Sequence, residues 1–255
     1  MRKIEVTFGP PAFPELRQRC LNQATCVVFD VLRATSTMLE ALSNGANAIF
    51  PAEDIPNALA LKTQHPTALL AGERHGLRIG KDQTGGVDFD LGNSPREFTA
   101  RRVAGRKIIM TTTNGTRALA ACRHAGKVLI GSFANLGAMA AHLTFALPEE
   151  LILVCSGTGE QTALEDALGA GALVDRLWPH YEDRSLGKPD DSAVMVRELY
   201  RATRKRLAQT IGESSNGRRL LSMDDLKADV PLCLEADRLD VIATLHSCGA
   251  IQVWE

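Results

Sequence analysis

Residues 26–44 read CVVFDVLRATSTMLEALSN. An apolar, β-branched run at Cys26–Phe29 gives way to one carboxylate, Asp30, then to Arg33 and the hydroxyls of Thr35, Ser36 and Thr37, and then to apolar residues at helical spacing. The pattern predicts a buried strand ending at Phe29 and a helix over Ser36–Asn44, with Ser36 as N-cap and Gly45 as a left-handed terminator. A strand that opens onto polar groups and a helix start is the repeating unit of α/β sheets, whose ligands collect at the carboxyl ends of strands.

The same unit recurs along the chain. Further strands are predicted at Ile4–Thr7, Ala48–Phe50, Ala68–Ala71, Lys107–Met110, Val128–Ile130 and Leu151–Cys155. Helices are predicted at Pro14–Gln23, Ile55–Gln64, Thr116–Ala125, Asn135–Leu143 and Thr162–Trp178, and from about Asp191 to Leu207, with Asn135 a further N-cap. Crossover helices between successive strands imply mostly parallel pairing. Two segments break the rhythm. Residues 72–97 carry six glycines and several charges and read as a long functional loop. Tyr181–Asp191 is a polar connection and the candidate lobe boundary within a single domain spanning 1–255.

Composition narrows the function. Of 255 residues, 45% are hydrophobic and 23% charged, which excludes a disordered or fibrous chain. Twenty-nine Lys+Arg against thirty Asp+Glu leave a net charge of −1, so no global basic field draws in nucleic acid or anionic lipid. The N-terminal stretch is broken by Pro10, Pro11 and Pro14, and no apolar run approaches the ~18–20 residues of a membrane span. A cytoplasmic protein without membrane or nucleic-acid partners is expected, with a homo-oligomer the default assembly. The cysteines at 20, 26, 122, 155, 233 and 248 form no C-x-x-C, and the six histidines show no zinc spacing.

The residues immediately after each strand are unusually polar. Asp30 and Arg33 come after one, Gly72-Glu73-Arg74 after another, Thr111-Thr112-Thr113-Asn114-Gly115-Thr116 after a third, and Ser156-Gly157-Thr158-Gly159 after a fourth, leading toward Glu165-Asp166. Helix N-termini, short hydroxyls and an arginine fork suit a phosphate-like ligand. Carboxylates gathered at neighbouring strand ends repel one another unless a cation lies between them, and hard oxygen ligands beside phosphate point to magnesium. Taken singly, each feature has a plainer reading: Asp30 capping a turn, Thr111–Thr116 a capped strand-to-helix junction, Glu165 and Asp166 favoured charges at a helix start. Four such ends in one sheet favour a shared anion and metal site.

Other motifs fit less well. Gly157-Thr158-Gly159-Glu160-Gln161-Thr162 matches the first two glycines of a dinucleotide-binding turn, but Thr occupies the third position and Asp175 falls inside a predicted helix. A Walker loop is absent. Asp30 lacks the D-x-D spacing of haloacid-dehalogenase-like phosphatases, because Leu32 stands two residues on. The basic residues from Arg197 to Arg206 read as a solvated helix face.

Taken in order, FDVLRATST (29–37), GER-H-G (72–76), DFDLGNSP (88–95), TTTNGT (111–116), LEDALGAG (164–171) and SSNGRRL (214–220) resemble the 2-phosphosulfolactate phosphatase family. The resemblance implies a three-layer α/β/α fold with a largely parallel or mixed sheet. It also implies a magnesium-dependent phosphatase that converts (2R)-2-phospho-3-sulfolactate to sulfolactate and phosphate in coenzyme M biosynthesis. Where the family pattern has Ala-Gly after the strand-end Cys and Phe-Ser before the Glu-Asp, this chain has Ser156-Gly157 and Thr162-Ala163. Another phosphorylated hydroxy acid is the alternative substrate, and an NAD(P)-binding oxidoreductase the alternative activity.

On this reading Asp30, Arg33 and Arg74 are the catalytic candidates, with Arg117 a further positive group. Substrate-binding candidates are Thr35, Ser36, Thr112, Thr113, Asn114, Gly115, Thr116, Ser156 and Gly157. Metal-ligand candidates are Asp30, Glu73, Asp90, Glu165 and Asp166. Either Asp30 or a metal-activated water attacks phosphorus, and the strand-end position of Asp30 favours the carboxylate. Cys155 as nucleophile lacks the C-x5-R loop of phosphocysteine chemistry.

Overall fold

The computed structural model describes residues 2–181 and 187–254. Its strands are β1 (Arg2–Thr7), β2 (Thr25–Phe29), β3 (Ala48–Pro51), β4 (Leu69–Arg74), β5 (Leu77–Arg78), β6 (Lys107–Thr111), β7 (Lys127–Gly131), β8 (Glu150–Cys155), β9 (Gly187–Pro189), β10 (Ala243–Leu245) and β11 (Ile251–Val253). The helices are α1 (Phe13–Gln18), α2 (Ala34–Ser43), α3 (Ile55–Gln64), α4 (Lys81–Thr84), α5 (Ala100–Val103), α6 (Gly115–Cys122), α7 (Leu136–Ala146), α8 (Leu164–Leu177), α9 (Asp191–Thr203), α10 (Leu207–Gly212), α11 (Ser215–Leu221) and α12 (Asp229–Leu234).

The strands join in the order β5-β4-β6-β3-β11-β10-β7-β2-β8-β1-β9. One parallel block comprises β4, β6 and β3, and the other β7, β2, β8, β1 and β9. The C-terminal hairpin β10–β11 lies between them and pairs antiparallel with both, through Thr244 opposite Leu129 and Ile251 opposite Ile49. Three antiparallel steps reverse strand direction between the blocks, so a flat sheet would send their carboxyl ends to opposite edges. The hairpin pairs with each block through a single residue pair, so a continuous flat ladder does not fix the blocks in one plane. The ends meet: Gly115, after β6, lies against Asp30 and Ala34, after β2.

The central strands are buried on both faces, which explains their unbroken apolar sequences. Cys26, Val28, Ile152 and Val154 point into a core shared with Met38 and Leu39 of α2 and Leu119 of α6. Val27, Phe29, Leu151 and Leu153 point into a second core shared with Met139 of α7 and Leu168 and Leu173 of α8. Helices on both faces of a mixed sheet make the three-layer α/β/α arrangement. A third, smaller cluster joins Leu70 and Ile109 to Phe89 and Ile79.

Every predicted strand is present. The segment 72–97 departs from the long-loop reading: β4 runs on to Arg74, turns at Gly76 into β5, and continues through α4. Phe89 and Leu91 then return alongside β4, so the apolar minority of that stretch anchors it. Helix α1 ends at Gln18, short of the predicted Gln23, because Arg19 turns extended and its guanidinium pairs with Glu5 and Glu150. Of the connection 181–191, residues 182–186 lie outside the described residues. Among the described residues no helix is long and apolar enough to cross a membrane.

Helices α8 and α9 meet at Gly171, where a Cβ would stand 2.2 Å from the Val196 carbonyl oxygen. A methyl group there must push the helices apart. Gly171→Ala is therefore expected to lower stability by about 1–3 kcal/mol despite alanine's better helix propensity. Thermal unfolding checks this, and an unchanged midpoint would show that α9 yields freely.

Candidate active site

The loop after β2 is held by its own side chains. The Asp30 N–H donates to Thr35 Oγ1 (3.0 Å), the Ala34 N–H to Asp30 Oδ1 (3.1 Å), and Ser36 Oγ to the Val31 carbonyl (2.9 Å). Thr37 Oγ1 donates to the Asn93 carbonyl (3.0 Å) and ties this loop to the far end of the 72–97 segment. Asp166, on the first turn of α8, accepts the Val31 N–H at Oδ1 (2.8 Å) and the Gly157 N–H at Oδ2 (3.0 Å). One carboxylate thus pins the ends of β2 and β8 together.

Glu73, at the end of β4, does the same for β6. Its Oε1 accepts both the N–H and the hydroxyl of Thr113 (2.9 Å each), and Oε2 accepts the Gly76 N–H (2.7 Å). Glu165 accepts Asn216 Nδ2 (3.0 Å) and Ser214 Oγ (3.1 Å), which brings α11 over the site. Arg33 is buried and donates from Nη1 to Asp229 Oδ2 (2.6 Å) and from Nη2 to the Gly76 carbonyl (2.9 Å). Asp229 also accepts Ser94 Oγ and Arg96 Nε (2.7 Å each), so one buried carboxylate serves two arginines.

These groups enclose a cavity of about 280 Å³ lined by residues that include Asp30, Arg33, Glu73, Asn93, Thr113 and Asn114. Thr158 and Gly159 close the third side, and the Gly159 N–H donates to Asn114 Oδ1 (3.1 Å). Around it are buried polar atoms without a partner among the described residues: Asn93 Oδ1 and Thr158 Oγ1 on the wall, and Thr112 Oγ1 and Ser156 Oγ on the adjoining strand ends. Buried acceptors and hydroxyls are rarely left unpaired, and the two on this wall suit a polar ligand.

The charge is unbalanced. Asp30, Glu73, Glu165 and Asp166 are all buried here. Burial pushes the Asp30 carboxyl up to about 7, with Glu73 and Glu165 acting in the same direction against the Ala34 N–H and Arg33. Burial, Asp30 and Glu165 together push Asp166 well above the usual carboxylate range. Both oxygens of Glu73, Glu165 and Asp166 already accept hydrogen bonds, whereas Asp30 Oδ2 has no donor among the described residues. That oxygen faces the start of α6, where a Cβ on Gly115 would stand 2.8 Å from it. Only glycine leaves room for the approach.

The structure therefore brings together Asp30, Arg33, Glu73, Thr113, Asn114 and Gly115. Glu165 and Asp166 sit just behind the wall. The hydroxyls of Thr35, Ser36 and Thr116 bond their own loops, the last donating to the Thr112 carbonyl (3.0 Å). Arg74 is turned away to the Glu73 carbonyl (2.7 Å) and Thr111 Oγ1 (3.1 Å). Asp90 is exposed and accepts the Leu70 N–H (2.8 Å), outside the cavity wall. Arg117 pairs with Glu160 at the surface. Burial pushes the Cys155 thiol well above its ordinary range, which leaves it inert as a nucleophile.

The dinucleotide reading fails on the same geometry. The Gly157 N–H is occupied by Asp166, and two buried carboxylates stand on the first turn of α8, where a pyrophosphate would have to lie. Sequence reasoning missed Asp229, His75 and Arg219. His75 and Arg219 sit inside the strings GER-H-G and SSNGRRL, where a basic residue within two positions of a glycine was the available signal, but Asp229 lies in a stretch with no motif.

A family model described as 2-phosphosulpholactate phosphatase matches residues 12–247. A protein of Caldicellulosiruptor saccharolyticus named as a probable 2-phosphosulfolactate phosphatase is 36% identical over 95% of this chain and 96% of its own length. Similarly named proteins of Thermotoga maritima and of a Synechococcus strain are 36% and 40% identical, over 95% and 86% of this chain and 95% and 87% of their own lengths. The family model and these relatives place the chain in the class of phosphoric monoester hydrolases. Within that class the chain belongs to the 2-phosphosulfolactate phosphatase family.

A buried carboxyl that holds its proton to about pH 7, against 3.8 for an ordinary Asp, makes the folded state bind more protons than the unfolded chain between those values. Its contribution to stability therefore falls as pH rises through that window. In protein stripped of divalent ions, Asp30→Asn keeps the acceptor for Ala34 and removes the charge. It is expected to raise stability at pH 8 by roughly 1–3 kcal/mol, the gain shrinking toward pH 4. Urea unfolding across pH checks this, and a variant less stable than wild type at pH 8 would contradict it. Asp229→Ala strands Arg33 and is expected to cost about 3–5 kcal/mol in the same assay, whereas a loss below ~1 kcal/mol would show the pair to be dispensable.

Proposed function

We propose that the protein hydrolyses 2-phospho-3-sulfolactate to sulfolactate and inorganic phosphate, the reaction attributed to coenzyme M biosynthesis, with magnesium as its cofactor and Asp30 as the attacking group. The observation that carries the reading is the single carboxylate oxygen, Asp30 Oδ2, left without a donor inside a cavity whose other carboxylates are all engaged.

The donor set supports a cation. Asp30 and Glu73 line the cavity with Glu165 and Asp166 behind them, and Arg33 is already paired with Asp229, so a cation held beside these carboxylates would ease the entry of a phosphate ester. Among the described residues no group of three or more His, Cys, Asp and Glu side chains forms a ready-made metal cage. Magnesium is normally held by one or two carboxylates together with substrate phosphate and water, a role Asp30 and Glu73 fit. When bound it neutralises charge on the phosphoryl oxygens.

The chain's own groups account for the rest. The first amides of α6, at Gly115 and Thr116, have no partner within the helix and, with the Thr112 hydroxyl, receive the phosphoryl oxygens. Asp30 Oδ2 attacks phosphorus, the P–O bond to the sulfolactate oxygen breaks, and the departing oxygen takes a proton from water. A second water then cleaves the aspartyl phosphate, giving phosphate and restoring the carboxylate. Thr35 and Ala34 hold Asp30 in place throughout, and Ser36 fixes the next residue through the Val31 carbonyl.

Phosphate release from 2-phospho-3-sulfolactate is expected to disappear with EDTA, return with magnesium, and fall at least ~10³-fold in Asp30→Asn. Acid quenching followed by hydroxylamine should trap the acyl phosphate in wild type. Full turnover in Asp30→Asn would remove Asp30 from the reaction, full turnover in EDTA would remove the metal, and faster hydrolysis of another phosphorylated hydroxy acid would reassign the substrate.

A further inference from the structure

On the cavity wall, Arg219 stands apart from the other charged groups. Arg33 is tied to Asp229. Arg219 has no carboxylate partner among the described residues, although it lines the same cavity as Asp30 and Glu73. Its Nε and Nη2 both donate to Asn216 Oδ1 (3.2 and 2.6 Å). Asn216 is buried and is itself fixed through Nδ2 to the Leu32 carbonyl (2.7 Å) and to Glu165 Oε1 (3.0 Å). An exposed arginine ordinarily surrenders a great deal of rotamer freedom when it binds an anion. Here one edge of the guanidinium is already fastened to a buried amide, which in turn is braced by Glu165 and the loop carrying Asp30. The remaining nitrogen, Nη1, makes no hydrogen bond among the described residues. Such a group is pre-organised to recognise a planar or tetrahedral anion.

We propose that Arg219 is the specificity-determining residue that binds the non-reacting anionic end of the substrate, its sulfonate or carboxylate, while Asp30 and the start of α6 handle the phosphoryl group. This rests on the hydrolase reading above for the identity of the substrate, but not for the existence of the anion subsite. Asn216 and Glu165 act as positioning residues for the guanidinium. The arrangement gives the pocket a reason to prefer phosphate esters that carry a second negative charge over esters of neutral alcohols. It also assigns a task to Glu165, whose two oxygens are directed at Ser214 and Asn216 and not at the cavity.

The test uses two esters and one product. Initial rates are measured with 2-phospho-3-sulfolactate and with glycerol 2-phosphate, an ester of a secondary alcohol without a second anion, for wild type, Arg219→Gln and Arg219→Lys. Binding of sulfolactate to the same proteins is measured by calorimetry. The ratio of kcat/KM for the two esters is expected to fall roughly 10–100-fold in Arg219→Gln, mainly through KM for phosphosulfolactate, with partial recovery in Arg219→Lys. Sulfolactate affinity should weaken by a similar factor. An unchanged ratio, equal losses on both esters, or wild-type sulfolactate binding that is absent or indifferent to Arg219 would overturn the assignment. If wild type hydrolyses neither ester and still binds sulfolactate through Arg219, the subsite stands and the hydrolase reading falls.

Discussion

Asp30, Glu73, Glu165 and Asp166 are buried around one small cavity, and the surrounding structure is arranged to make that burial tolerable. A carboxylate out of water needs donors or a counter-charge. Donors come from separate parts of the chain: the amides of Val31 and Gly157 for Asp166, Thr113 and Gly76 for Glu73, Ser214 and Asn216 for Glu165. Each hydrogen bond fastens one strand end or loop to another. The negative charge that stabilises nothing by itself becomes the pin that holds the site together, and the charge left over on Asp30 becomes its chemistry.

That pinning is needed because the sheet is discontinuous in direction. Its two parallel blocks run oppositely and are joined by a hairpin of three-residue strands that pairs with each neighbour through one residue pair. Single residue pairs on either side of the hairpin do not by themselves lock the carboxyl ends together. The contact of Gly115 with Asp30 and Ala34, the Gly159 bond to Asn114, and the Arg33 bond to Gly76 close the gap between blocks. The cavity is therefore a junction between two half-sheets.

Much of the site is legible residue by residue. Asp30 and the Thr113–Gly115 turn follow strands with unbroken apolar runs, Glu73 stands at the end of β4 after one, and a polar group in such a position lies at the sheet's carboxyl edge. The same reasoning makes ligand donors of Thr35, Ser36 and Thr116. Their hydroxyls instead satisfy nearby backbone groups, because short side chains in a tight loop reach their own main chain before they reach a ligand. Arg74 and Asp90 share the right neighbourhood in sequence and are turned elsewhere by bonds to Thr111 and Leu70. The hairpin β10–β11 has strands too short for periodicity to register.

The α/β class, the strand ends that carry polar groups, and the family all follow from the order of residues, since apolar periodicity and ordered motifs are local properties of the chain. Which polar groups share a cavity is settled only by the folded arrangement. Arg33 meets Asp229 across 196 residues, and Arg219 is aimed by Asn216, itself bound to Glu165 51 residues earlier. Those pairings depend on how two oppositely running half-sheets meet and on the fold of α11 and α12 over them, neither of which leaves a local pattern in the sequence.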